Sequence, residues 1–137
     1  MPAVTMPAWL KSFGFAANGL RFMLRNERNA RLHLGAAAFI VTAGLALGLR
    51  GPDWRWIAAA IAWVWFAEAV NTAVEHLCDV VSPGPNGSVR IAKDVAAGAV
   101  LISATGAAVI GAFTMAPYIL PMIDGDGLDS LFRWLAG

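Results

Sequence analysis

The stretch IAAAIAWVWFAEAVNTAVEHLCDVV, residues 57–81, decides the fold. Residues 57–67 carry no charge, and the whole run is long enough to cross a hydrocarbon core of about 30 Å as a helix. Its second half carries Glu68, Asn71, Thr72 and Glu75, at offsets of 3, 4 and 7 from the first. At about 100° per residue these four fall within an arc of about 100° on one helix face. Two carboxylates with an amide and a hydroxyl between them are costly in hydrocarbon, so this face has to meet water, a partner or a substrate. Asp79 extends the polar face by one more turn.

The rest of the 137-residue chain fits a membrane setting. It is 58% hydrophobic and 14% charged, with a mean hydropathy of +0.62, where a soluble domain carries about 25% charged residues. Charges gather in residues 11–31, 50–55, 68–94 and 124–133, with apolar stretches between them. A net charge of +1 gives no sign of nucleic-acid binding, and none is expected. The single cysteine, Cys78, excludes an internal disulfide and reads as a buried apolar filler. No cleavable signal peptide is expected, since the start holds Pro2, Pro7 and Trp9 and the first long apolar segment follows Arg31.

The expected architecture is one all-α membrane domain with three transmembrane helices. Residues 8–28 read as an amphipathic helix on the membrane surface, with Phe13, Phe15, Leu20 and Phe22 apolar and Lys11, Arg21, Arg25 and Arg28 basic. An ordinary helix packed on the spans is the alternative. Span one covers residues 30–49 and contains Gly44-x-x-x-Gly48, a weak signal for close helix contact. Arg50-Gly51-Pro52-Asp53 reads as a turn short enough to make spans one and two antiparallel neighbours, with Trp54 and Trp56 in an interfacial aromatic belt. Span two covers residues 54–81. Residues 82–88 form a loop rich in Pro and Gly. Span three covers residues 89–115, where Ala99, Ser103, Ala107 and Gly111 make a ridge of small residues suited to an interior helix. Pro117 and Pro121 are expected to end it. Asp124-Gly125-Asp126-Gly127 lacks the spacing and closing Glu of a calcium loop, so it reads as a capped turn before a short helix at 128–135, anchored by Trp134.

The basic residues orient the spans. The N-terminal arm and second loop hold Lys11, Arg21, Arg25, Arg28, Arg31, Arg90 and Lys93, against Arg50, Arg55 and Arg133 on the other side. The positive-inside rule puts the first set, and the N-terminus, in the cytoplasm. Glu27, Glu75, Asp79, Arg90, Lys93 and Asp94 then share the inner interface, and Glu68 lies about 10 Å deeper than Glu75, from seven residues of helical rise. That geometry suits a reaction between a water-soluble anion and a lipid head group. Glu27, Glu75 and Asp79 are candidates for holding Mg²⁺, which takes one or two carboxylates plus phosphate oxygens. Lys93 and a nearby arginine suit a polyphosphate. Glu68 stands where a lipid hydroxyl arrives and can take its proton, oriented by Asn71 and Thr72. Spacing alone leaves three readings open: a catalytic site, an ion or proton path, and interhelical hydrogen bonding.

Two motifs go further. Ala67-Glu68-Ala69-Val70-Asn71-Thr72-Ala73-Val74-Glu75, followed after a loop by Ala92-Lys93-Asp94, resembles the small bacterial integral-membrane diacylglycerol kinase and undecaprenol kinase family. Glu27 resembles that family's acidic position before its first span, and Asn18-Gly19-Leu20-Arg21 the end of its N-terminal surface helix. The resemblance covers about residues 10–115. It implies a homotrimeric bundle in the bacterial cytoplasmic (inner) membrane, with active sites shared between subunits at the cytoplasmic face. ATP with Mg²⁺ would phosphorylate a membrane lipid alcohol. Carried over by position, Glu68 is the general base. Glu27 and Glu75 are the magnesium ligands. Asn71, Thr72, Lys93, Asp94 and Arg21 are the substrate and nucleotide contacts. The loop at 82–88 lacks the family's Tyr-His, the N-terminal helix lacks the Trp-Lys found before Gly-Leu-Arg in proteobacterial members, and residues 124–137 run past the usual end. Residues 91–101 look closer to undecaprenol kinases than to the proteobacterial diacylglycerol branch.

Overall fold

The computed structural model describes residues 7–123 and Arg133, and it holds four α-helices in the order α1 (Ala8–Asn26), α2 (Arg28–Leu47), α3 (Gly51–Val81) and α4 (Gly87–Ile123). The last three are each long and apolar enough to cross a membrane. The expected helix at 128–135 and Trp134 lie, Arg133 apart, outside the described residues.

The joint between α1 and α2 is a single residue. Glu27 is extended (φ −93°, ψ 122°), and its N–H still bonds the Met23 carbonyl while its own carbonyl accepts from Arg31. This shortens the expected first helix by two residues. Met23 is the buried side chain of α1 among those described, and Phe13, Phe15, Leu20 and Phe22 stay exposed.

The two glycines of Gly44-x-x-x-Gly48 have separate duties. Gly48 adopts the left-handed conformation (φ 69°) that caps α2, and the Leu49 N–H returns to the Gly44 carbonyl. Gly44 is the seat of Trp54. A Cβ there would lie 2.9 Å from the Trp54 ring, which is held by its indole N–H donating to the Leu49 carbonyl at 3.1 Å. Trp54 is therefore folded back onto α2, while Trp56 is 62% exposed, as a belt residue would be. The expected turn at 50–53 is mostly helix: Arg50 is the N-cap of α3, and Pro52 sits in the first turn, where its missing N–H costs nothing.

Helix α4 corrects the expectation that Pro117 and Pro121 end span three, since it runs through both to Ile123. Each proline removes one helical donor, leaving the carbonyls of Phe113 and Pro117 without theirs. Spanning helices tolerate this where neighbours hold the backbone. The neighbour is the start of α3: the Tyr118 hydroxyl accepts the Arg50 N–H at 3.1 Å and donates to the Asp53 carboxylate. The two longest helices pack chiefly on one another. Val100, Ser103 and Met115 of α4 are buried, and of the ridge of small residues Ser103 and Gly111 are buried, Ala107 is half-buried and Ala99 is exposed. On α3 the buried face is Ile57, Ala60, Val64, Ala67, Glu68, Asn71 and Thr72.

Candidate active site

The polar face of α3 is turned inward. Glu68 is 2% exposed, Asn71 6% and Thr72 8%, so their costly groups are kept from the exposed side of the helix, which shows Trp63, Phe66 and Val70 instead. The Asn71 side-chain amide donates to Glu75 Oε1 at 3.0 Å, the i to i+4 partner its helix supplies. That bond fixes the amide. Two buried oxygens, Glu68 Oε2 and Asn71 Oδ1, have no hydrogen-bond partner among the described residues. A buried unpaired acceptor costs about 1–3 kcal/mol.

The other expected site residues divide into those that join this face and those that do not. Glu27, at the joint, lies 3.8 Å from His76 Nε2, and His76 in turn stacks edge-on against Phe22 at 4.9 Å. Three helices therefore meet at Glu27. Both Glu27 and Glu75 act electrostatically on Glu68. Lys93 pairs with Asp79 across the α3–α4 hairpin and is within electrostatic reach of Glu75. Asp79 is thus the partner of the lysine and not a third open carboxylate. Asp94 is exposed and sits 3.8 Å from Arg90 on its own helix, and Arg21 is exposed on α1. Neither is brought to the buried carboxylates within the chain. Cys78 is half-buried.

Two histidines escaped the sequence reading. His76 lies on the exposed side of α3 and gains its place only from Glu27 across the helix contact. His33 lies on α2, half-buried, and lines an apolar groove between α2, α3 and α4. Its signal was available, because it is the ionisable residue inside an otherwise apolar span.

Among the described residues there is no group of three or more His, Cys, Asp or Glu side chains able to hold a metal by themselves. Glu27 and Glu75 offer hard carboxylate oxygens only. That donor set suits a magnesium ion arriving with phosphate oxygens, which needs one or two carboxylates, better than a resident metal.

Comparison with known proteins matches this arrangement. Residues 14–115 fit the family described as prokaryotic diacylglycerol kinase. The chain belongs to that family. It is 33% identical over 109 residues to an undecaprenol kinase of Bacillus subtilis, covering 80% of this chain and 89% of the relative. It is 32% identical over 118 residues to a diacylglycerol kinase of a Synechocystis species, covering 85% of this chain and 67% of that one. Membership makes this chain a membrane-embedded lipid kinase. The readings of the chain as a channel or as a structural subunit give way to that of an enzyme.

Proposed function

We propose that the chain transfers the γ-phosphate of ATP to the hydroxyl of a membrane lipid alcohol at the cytoplasmic face of the bacterial inner membrane. The observation that carries this reading is the inward carboxylate face of α3, where Glu68 Oε2 is buried and, among the described residues, unpaired, one turn from Asn71. Phosphoryl transfer asks little covalent work of a protein and much positioning and charge placement. Glu68 takes the proton of the acceptor hydroxyl as the oxygen attacks phosphorus. Asn71, fixed by Glu75, turns its carbonyl oxygen to the same spot and orients the hydroxyl, with Thr72 beside it. Glu27 and Glu75 are the residues that would hold Mg²⁺. When bound, the ion neutralises phosphate oxygens of the nucleotide. Lys93, oriented by Asp79, meets the polyphosphate, and Asp94 and Arg21 complete the nucleotide contacts from the exposed side.

Two features support a larger assembly. Asp94 and Arg21 do not reach the buried carboxylates of their own chain, so contacts shared between copies would bring them in. Many large apolar side chains are exposed on the spans, leaving ample surface for both lipid and other subunits. A homotrimer with its N-terminus in the cytoplasm, α1 lying on the membrane with its aromatic side down, satisfies both. Undecaprenol is the acceptor put first, on the likeness of residues 91–101 to undecaprenol kinases, with diacylglycerol the second choice. Purified protein in mixed micelles, given labelled ATP, Mg²⁺, undecaprenol and diacylglycerol side by side, should phosphorylate undecaprenol faster. No transfer to either alcohol would end this reading, and faster transfer to diacylglycerol would reverse the order of acceptors.

A further inference from the structure

Glu27 occupies the N-cap position of α2, but its side chain makes no capping hydrogen bond. A short acceptor such as Ser or Asp would fold back onto the first N–H groups of the helix. The Glu27 carboxylate is carried away from them instead. Its backbone is fixed by the elbow, with its N–H on the Met23 carbonyl and its own carbonyl taking the Arg31 N–H. Whatever orients the carboxylate has to come from another side chain.

Three arginines stand close by in sequence: Arg25, Arg28 and Arg31. All three are exposed, and Arg31 turns its guanidinium to the Arg25 carbonyl at 2.9 Å. Among the described residues, the ion-pair partner of Glu27 is on α3: Glu27 Oε1 lies 3.8 Å from His76 Nε2. The His76 ring is itself set edge-on against Phe22, with centroids 4.9 Å apart and the planes at 71°. Phe22 sits at the end of α1, where its carbonyl accepts from the Asn26 side chain at 2.8 Å. One imidazole thus meets both sides of the elbow. Its ring touches α1 and its nitrogen faces the joint residue.

Histidine in place of arginine matters to a metal ligand. A guanidinium is a planar fork that takes both oxygens of a carboxylate. A single imidazole nitrogen engages one oxygen and leaves the other to a metal. Glu75, the residue before His76, is held in the same manner by the Asn71 amide on its Oε1. Each proposed magnesium ligand therefore has one oxygen facing a nitrogen of α3 and a second oxygen in reserve. Outer partners of this kind set the direction of metal-binding carboxylates.

We propose that His76 is a positioning residue of the metal site: braced by Phe22, it holds the Glu27 carboxylate against α3, beside Glu75, so that the two acids meet one ion. The proposal rests on Glu27 being a magnesium ligand, as put forward above. His76 acts through Glu27 and touches the metal at no point.

The test reads binding without turnover. Mn²⁺ stands in for Mg²⁺, together with a non-hydrolysable imido analogue of ATP, and free Mn²⁺ is followed by electron paramagnetic resonance on the full chain in detergent. His76→Phe keeps a ring for Phe22 and removes the nitrogen. It should weaken Mn²⁺ binding at least about threefold, with unaltered elution. His76→Gln loses the ring and supplies an amide nitrogen, so it should bind Mn²⁺ more tightly than His76→Phe. His76→Leu carries the same expectation as His76→Phe and decides if the phenylalanine variant elutes differently. A smaller loss in His76→Phe, tighter binding in it, or a loss in His76→Gln as large as its own overturns the assignment. So does a loss in His76→Phe larger than that in Glu27→Gln, since His76 would then act by another route. Glu27→Gln binding Mn²⁺ as the native chain does removes Glu27 as a ligand, and the role of His76 with it, in a measurement that needs no His76 variant.

Discussion

In the proposed reaction Glu68 is the residue on which most of the chemistry depends, and burial sets its value. A carboxylate 2% exposed in an apolar layer has few competitors for a proton offered by a neighbouring hydroxyl. Replacing it with Gln keeps its volume and removes its basicity. Turnover should fall about 10²- to 10⁴-fold, the usual worth of a positioned base, while the protein still elutes as the native assembly does. Asn71 is a different case. Its amide holds Glu75 at 3.0 Å, so Asn71→Leu frees one proposed magnesium ligand and removes an acceptor oxygen at the same time. The Mg²⁺ concentration for half-maximal activity should rise several-fold in that variant, and an unchanged magnesium titration would place Glu75 under other control. These two residues were legible from offsets along one helix, because helical periodicity is local and needs no knowledge of neighbours. His33 was not, because its place on the groove wall comes from α3 and α4, which close that groove only in the folded chain.

The helices themselves are held by contacts that no periodicity announces. Gly44-x-x-x-Gly48 reads as a generic packing motif, yet its glycines serve a tryptophan and a helix cap. Gly44→Ala gains about 1 kcal/mol of helix propensity but pushes a Cβ to 2.9 Å from the Trp54 ring. Overpacking of that kind costs about 1–3 kcal/mol, so the variant should unfold at a lower temperature in detergent. Gly111→Ala, with open space around its Cβ within the chain, is the comparison. The prolines of α4 are the other case. Local rules stop the helix at Pro117, and the real helix continues because Tyr118 is tied to Arg50 and Asp53 at the start of the preceding span. Tyr118→Phe leaves both groups without that partner. It should lower stability by about 1–3 kcal/mol and leave kcat within about twofold, since the tie is at the end of the bundle away from Glu68. A large kcat effect with stability intact would show that the two ends are coupled.

For the molecule as a whole, the span count and the order of helices were readable from hydropathy, because bilayer thickness imposes a length that sequence must meet. The assembly was not, since a single chain's pattern does not distinguish side chains facing lipid from those facing a copy. Phe39, Trp63, Phe66, Ile102 and Phe113 are all more than 60% exposed, and exposure in one chain is the same for either surface. Cross-linking in native membranes should give a species of about 43 kDa, three copies of the 14.4 kDa chain, and a ladder stopping at the dimer would refute the trimer.

The joint at Glu27 has a consequence for how the enzyme meets its surroundings. A one-residue elbow has no slack, so whatever tips the first helix also swings the carboxylate that helix delivers. With that helix resting on the bilayer as proposed, thinning or bending of the lipid sheet would act as a lever on a magnesium ligand, gearing the rate of phosphorylation to the mechanical state of the membrane that supplies the acceptor.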